Sequence, residues 1–439
     1  EMSTRDWSSD VCSSDLTLST HAGYEPKETQ YGPMNIPITL ATAFHFGDAK
    51  TAAARFALQE LGPIYSRLTN PTLDAFEARV AALENGVAAI SASSGMAATF
   101  YAVANLVNAG DNIIIAKKIY ASNLLGNTFR RFGIEARLFD ADNPNNLESL
   151  IDDKTKAIFF ETLSNPQISI SDHETIVQIA NKYGIVTIAD NTVATPILFR
   201  PLEHGIDVSL HSASKYMSGN GASIAGVLVS NKNLNKKLVG NIRYPYFNEP
   251  DSSYHGLIFA SIAEYFDIFT LSIRVGLLRD IGATLSPFGA WQLINSIESL
   301  PIRIRAHSDN ALKIAEWLEK QDAIKSVNYP GLKSSPMNPY IKKYFEDGKA
   351  SGLLSFDVGD RAVAEKIVNA TNIFAIVVNI GDTKSIITHP ASTTHSQLSK
   401  SELDKIGITP GLIRLSVGLE NASDLIEDLA QAFKKAGLK

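Results

Sequence analysis

The 439-residue sequence has a single cysteine, Cys12, so it can form neither an internal disulfide nor a multi-cysteine metal site. It has no apolar run near the ~20 residues a membrane helix needs. It has no excess of positive charge: 40 Lys and Arg face 46 Asp and Glu, a net charge of −6. Nucleic acid is therefore not the expected partner, because phosphate binding needs a clustered basic surface. Repeats of the solenoid or propeller kind are absent. What remains, 45% hydrophobic and 20% charged residues, excludes a disordered chain and is ordinary for a globular enzyme. The scarcity of cysteine fits a reducing, cytoplasmic compartment.

Residues 1–16 are polar and rich in Ser and Asp, without the apolar core of a secretory signal or the Arg-rich face of a transit peptide. We expect them to be a non-native leader joined to a start near Thr17; a disordered native tail is the alternative. Residues 17–75 are rich in Gly and Pro and poor in periodic pattern. So long a stretch seldom folds alone, and it is expected to be an arm packed against a neighbouring subunit.

From there short apolar runs alternate with amphipathic segments, the mark of an α/β fold with a mainly parallel sheet covered on both faces. Helices are expected at 72–85, 96–108, 122–132 and 173–183. Strands are expected at 112–116, 156–161, 185–189, 208–211 and 225–229. Residues 288–320 read as long helix broken near Pro301, followed by shorter strands at 323–327, 353–358, 376–378 and 413–416 and a last helix at about 424–436. This divides the chain into a large domain at 76–290 and a smaller C-terminal α/β domain at 291–439.

Four segments carry residues of unusual chemistry. Ser91 to Met96 (SASSGM) precedes a helix, whose first N–H groups can hold a phosphate; small residues before a helix are also common without one. Asp190 ends the apolar run IVTIA, where a carboxylate is costly without a charged partner, unless it merely caps a helix. Lys215, in the run HSASKY, lies between two apolar strands; a partly buried lysine has a lowered pKa suited to Schiff-base chemistry. Arg414 alternates within the apolar run LIRLSV, where its planar fork needs a carboxylate, from a ligand or from the protein itself. Together they read as a pyridoxal phosphate site: a lysine for the aldehyde, an acid for the ring nitrogen, a helix start for the phosphate and an arginine for a substrate carboxylate. Asp190 and Lys215 are 25 residues apart, close enough for a strand pair to bring both to one crevice at strand ends.

At these motifs the sequence resembles the Cys/Met-metabolism (trans-sulfuration) family of pyridoxal-phosphate enzymes, from about Thr17 to the C-terminus. The motifs are YSRLTNPT at 65–72, SSGMAA at 93–98, DNT at 190–192, SASK at 212–215 and THPASTTHS at 388–396. The stretch Tyr254, His255, Gly256 is similar to the long insert of the O-acetylhomoserine sulfhydrylase branch. The resemblance implies the aminotransferase-like fold of type I and a γ-replacement in which O-acetyl-L-homoserine and sulfide give L-homocysteine and acetate, or methanethiol gives methionine. Rival branches are cystathionine γ-synthase and methionine γ-lyase. The lyase branch usually has a Cys after the stacking Tyr, where Ala121, Ser122 and Asn123 stand here. A non-catalytic homologue would usually have lost Lys215 or Asp190.

The resemblance also implies roles. Lys215 would hold the cofactor aldehyde and then move protons, Asp190 would keep the pyridine nitrogen protonated, and Tyr120 would stack on the ring with Thr192 in support. Gly95, Met96, Ser212 and Ser214 would contact the phosphate. Tyr65 and Arg67 would reach the phosphate in a neighbouring subunit of a homotetramer. Asn165, Ser385 and Arg414 would bind the substrate carboxylate or the cofactor's phenolic edge. Departures from the family pattern are Ser214 for Thr, Asn220 for His and Ala189 for Val. A dinucleotide loop at 219–226 is excluded by Ile224 where Gly is needed. His389 and His395 sit in a Ser/Thr-rich loop without the spacing of a zinc motif, so no metal is expected.

Overall fold

A computed structural model describes residues 14–438 except 30, 61, 395, 397, 398, 400–402 and 404–406. Cys12 and His395 therefore lie outside the described residues. The first helix, Asp15–His21, begins two residues inside the expected leader, and the Asp15 carboxylate pairs with Arg200 and, at 3.5 Å, with Arg305.

Seven strands form the large sheet: β1 (Ala88–Ala92), β2 (Asn112–Ala116), β3 (Glu135–Phe139), β4 (Thr155–Glu161), β5 (Val186–Asp190), β6 (Val208–His211) and β7 (Gly226–Ser230). Their spatial order is β1-β7-β6-β5-β4-β2-β3. The pairs from β3 through β6 are parallel, and only β7 runs antiparallel to both of its neighbours. Every residue of β2, β4, β6 and β7 is buried, as a sheet covered on both faces requires.

The covering helices form for local reasons. Pro71–Leu83 starts with Pro71 in its first turn, and Asn70 accepts the Thr72 N–H with its side chain. His173–Tyr183 is capped by Asp172, buries Ile176, Val177 and Ala180, and stops at Gly184 with φ +64°. The helix expected at 122–132 is a π turn over Leu124–Thr128 followed by a 3-10 turn over Phe129–Phe132. Gly126, Asn127 and Thr128 are weak helix formers, and they interrupt the α-helical ladder there.

Two helices, Pro287–Ile297 and Leu300–Leu318, replace the broken helix expected at 288–320; Pro301 lies in the first turn of the second. They lead to a five-stranded sheet made of β8 (Ser326–Asn328), β9 (Leu353–Asp357), β10 (Ala375–Ile376), β11 (Ile386–Thr388) and β12 (Leu412–Ser416), ordered β10-β11-β12-β9-β8. The helices Arg361–Ala370 and Ala422–Ala436 pack against each other beside it. Among the described residues no helix is long and apolar enough to cross a membrane.

Candidate active site

The carboxyl ends of the parallel strands carry the chemistry, as open α/β sheets lead one to expect. Asp190 is the last residue of β5. Its Oδ1 accepts from the Thr192 backbone N–H at 2.9 Å and from the Thr192 hydroxyl at 2.5 Å. Thr192 Oγ1 accepts in turn from the Ser212 N–H at 2.8 Å, and the Ser212 carbonyl accepts from the Lys215 N–H at 3.1 Å. A short chain of bonds thus ties the acid to the turn that carries the lysine. Burial pushes the Asp190 carboxyl up; the Thr192 bonds and the charge of nearby His211 oppose it.

Lys215 is half-buried, and its Nζ donates to Asn379 Oδ1 at 2.7 Å. Burial, and then the charge of Arg414, lower its pKa. That is the direction a lysine needs to offer a free amine to a carbonyl. Arg414 rises from the middle of β12 and is 5% exposed. It donates from Nη1 to Asn165 Oδ1 at 3.1 Å and from Nη2 to the Asn379 carbonyl at 3.1 Å and Thr388 Oγ1 at 3.3 Å. Burial lowers its pKa to about 10, and the Tyr120 phenol lies near enough to act on its charge. The Arg414 partners are all neutral, and its buried Nε has no partner. A guanidinium this buried, with a donor to spare and no carboxylate of its own, suits an anionic ligand.

The helix Gly95–Ala104 points its start at the same place. Ser94 caps it by accepting the Ala97 N–H at 3.1 Å. The first N–H groups of a helix have no intrahelical acceptor, and Gly95, which opens this one, stands beside Ser212. A Cβ added at Gly95 would lie 2.7 Å from the Ser212 Cβ, so only glycine lets the helix start come this close. Ser214 Oγ accepts from the Ala225 N–H at 2.9 Å and donates to its carbonyl at 3.2 Å; it meets a phosphate only by releasing that carbonyl. Helix start, buried acid, amine and spare guanidinium are the four fittings pyridoxal phosphate and an amino acid require.

The chain matches the family described as Cys/Met metabolism PLP-dependent enzyme over residues 16–434. It belongs to that family. It is 42% identical over 428 residues to an O-acetyl-L-homoserine sulfhydrylase of Leptospira meyeri, covering 95% of this chain and 96% of that protein. A sulfhydrylase of the same name from Corynebacterium glutamicum is 41% identical, covering 95% and 96%. A crystal structure from Campylobacter jejuni, assigned as an O-acetylhomoserine (thiol)-lyase, superposes with a TM-score of 0.93 at 50% identity, covering 96% of this chain and 99% of that one. It contains N'-pyridoxyl-lysine-5'-monophosphate, the cofactor joined to a lysine. The family's cofactor is pyridoxal phosphate, and the fold type I architecture expected from the sequence is the one observed.

Ser385 needs correcting. Its hydroxyl donates to Glu420 Oε2 at 2.8 Å and accepts from the Gly418 N–H at 2.8 Å, and it is fully buried. It stands three residues before Thr388, which faces Arg414. Side chains alternate along a strand, so an odd offset turns it to the other face. Asn379, not Ser385, stands beside the two cations, touching Lys215 with its side chain and Arg414 with its carbonyl. Its signal in the sequence was Gly381 two residues on. That glycine has φ +73°, and a Cβ there would lie 2.7 Å from the Tyr216 nitrogen, so the turn is pressed against the lysine segment.

Tyr65 and Arg67 are exposed, the guanidinium 5.2 Å from the centroid of the Tyr65 ring. Arg67 lies beside Gly282 and acts on the charge of Asp280. Tyr120 is 65% exposed. His389 is engaged at both ring nitrogens, by Ser392 Oγ and the Pro410 carbonyl.

Proposed function

We propose that this chain carries out γ-replacement on an acylated homoserine, converting O-acetyl-L-homoserine and sulfide to L-homocysteine and acetate. The observation that carries the reading is the contact of Lys215 with Asn379, whose carbonyl receives Arg414, within reach of Asp190 through Thr192 and Ser212. These contacts support reading Lys215 as the amine, Arg414 as the carboxylate clamp and Asp190 as the ring-nitrogen acid of one site. Relatives named for this reaction match nearly the whole chain.

Bound pyridoxal phosphate would supply the electron sink that makes loss of a proton from the amino-bearing carbon feasible. Lys215, with its lowered pKa, takes the Cα proton, and by swinging one carbon along it moves the Cβ proton. Asp190 keeps a proton at the ring nitrogen, and Thr192 aims its carboxylate. Arg414, with Asn165 and Asn379, binds the α-carboxylate and fixes which Cα bond breaks. Tyr120 covers the ring face. Gly95, Met96, Ser212 and Ser214 hold the phosphate. At Cγ the C–O bond breaks, acetate leaves with the electron pair, and sulfide forms the C–S bond.

In the assembly we place Tyr65 and Arg67 at the phosphate of a neighbouring subunit's cofactor, within a homotetramer. Their exposure and mutual stacking support it: a guanidinium held over a ring at the surface is presented outward. We divide the chain into an arm, a large cofactor domain and a C-terminal domain from about residue 291.

The test is direct. Protein loaded with pyridoxal phosphate is given O-acetyl-L-homoserine with sulfide, and homocysteine and acetate are measured; the succinyl ester, methanethiol and cysteine are run beside them. Homocysteine from the acetyl ester is expected. Cofactor-loaded protein that releases acetate with ammonia and a 2-oxo acid, and forms no homocysteine, would overturn the reading in favour of γ-elimination.

A further inference from the structure

Glu161 ends the apolar run KAIFFE in β4, one strand over from Asp190 and in register with it. It is 5% exposed. Oε1 accepts the Tyr120 backbone N–H at 2.5 Å, and Oε2 accepts the Asn165 backbone N–H at 3.2 Å. Its own carbonyl accepts the Ser171 hydroxyl at 2.7 Å. Asn165 passes the link on, because its side-chain oxygen accepts from Arg414. Burial, and then the charge of Asp190, push the Glu161 carboxyl well up, while the two N–H bonds from Tyr120 and Asn165 favour the carboxylate and oppose that shift. Two carboxyl groups side by side at the buried ends of two central strands are costly, and a neutral residue would fill the same space more cheaply. Yet both Glu161 oxygens meet backbone N–H groups, one at each border of the crevice.

We propose that Glu161 is a positioning residue for the γ-replacement: its two oxygens fix the spacing between the Tyr120 backbone, at the cofactor face, and the Asn165 backbone, at the carboxylate clamp. The inference rests on the function proposed above. A carboxylate presents an acceptor in each direction. A glutamine presents one, and turns an NH2 against the other N–H, so one border must move. Nothing in this requires Glu161 to touch the substrate.

The experiment uses the holoprotein with Glu161→Gln, Asn165→Ala and the double variant. Thermal unfolding checks the fold. Visible circular dichroism of the bound cofactor reports how the ring sits, and steady-state kinetics separate KM from kcat. Glu161→Gln should keep the fold and the cofactor but lose about half or more of the visible dichroism, with KM for O-acetylhomoserine up about tenfold and kcat reduced less. Because the effect runs through Asn165, adding Glu161→Gln to Asn165→Ala should change KM by less than about twofold. Wild-type dichroism and KM in Glu161→Gln, or fully multiplicative KM effects, would overturn the proposal. If Glu161→Gln does not fold, Glu161→Asp is measured; it keeps the charge but shortens the reach, and wild-type behaviour there would equally overturn it. If wild type itself fails to use O-acetylhomoserine, the proposed reaction falls, and the dichroism comparison still decides on Glu161.

Discussion

The large sheet delivers Glu161, Asp190 and, just past β6, Lys215 from the ends of adjacent strands, whereas the small sheet delivers Arg414 from mid-strand and Asn379 from a loop between β10 and β11. Hydrogen-bonded parallel strands fix each member of the first group to the next over one strand spacing. The second group depends on a turn that must be held down. Gly381 donates to Ser416 Oγ at 2.9 Å, Thr383 to the Gly219 carbonyl at 2.6 Å, and Ser385 to Glu420. Catalytic geometry built on sheet ends is rigid, while geometry built on a pinned loop can shift by fractions of an ångström. The cofactor side should therefore respond to substitution as all or nothing, and the substrate side by degrees.

The largest effect tests the rigid side. Lys215→Ala should bind no cofactor covalently and lose turnover by roughly a thousandfold or more, read from the visible absorbance of the reconstituted protein and from homocysteine formed. Next comes Arg414→Ala, where the α-carboxylate loses its planar partner. KM for O-acetylhomoserine should rise about 10–100-fold with a smaller fall in kcat. If both variants proved equally dead, the contrast between the two sides would be wrong. Arg67→Ala tests a third, exposed region: cofactor affinity should weaken by about tenfold, measured by equilibrium dialysis, while a monomeric dilution of wild type should show the same loss. Full retention would remove the shared site. Asn379→Ala against Ser385→Ala sharpens the comparison within one loop. The first should raise KM several-fold more than the second, whose hydroxyl faces Glu420 and can act only through the loop's shape.

The same contrast governs what could be read in advance. Strands with buried apolar runs declare themselves: β2 and β4, and the helix His173–Tyr183, fall within a residue of where their patterns put them. The edge strand β3 (EARLF) was not legible, since Glu135 and Leu138 stay exposed and its polar residues hide the run. Nor was β1 (AAISA), whose small residues carry little strand signal. In the site, Asp190 and Arg414 stand out because each is a charge set in an apolar run, and Lys215 because it lies between two apolar strands. Glu161 has the same signature, KAIFFE beside IVTIAD, and went unassigned because no cofactor atom claims it. Asn379 lies in irregular backbone, where alternation gives no facing rule, and so Ser385 stood in for it.

Where the two sheets meet, two histidines carry the smallest predicted effect, and it is one of stability. His307 bonds the Val417 carbonyl through Nδ1 at 2.7 Å, just past β12, and sets its ring edge-on to Tyr216 beside the lysine. His173 packs among Phe199 and His204 of the large sheet's flank and Tyr344, which follows β8. Burial lowers both to a pKa of about 4; the charge of His204 adds to this at His173, while Glu174 and Asp172 oppose it. An unfolded histidine titrates near 6.5, so below that pH the unfolded chain takes up protons the native one refuses. Stability from these sites is complete above about pH 6.5 and is lost as the pH falls toward 4, by at most about 1.4 kcal/mol per pH unit for each ring. The melting temperature should accordingly drop more steeply between pH 6.5 and 5 in wild type than in His173→Phe, which keeps the ring packing without the titration. Parallel curves would show that the seam is not where acid acts, and that the two sheets part, if they part at all, from the loop side around Asn379.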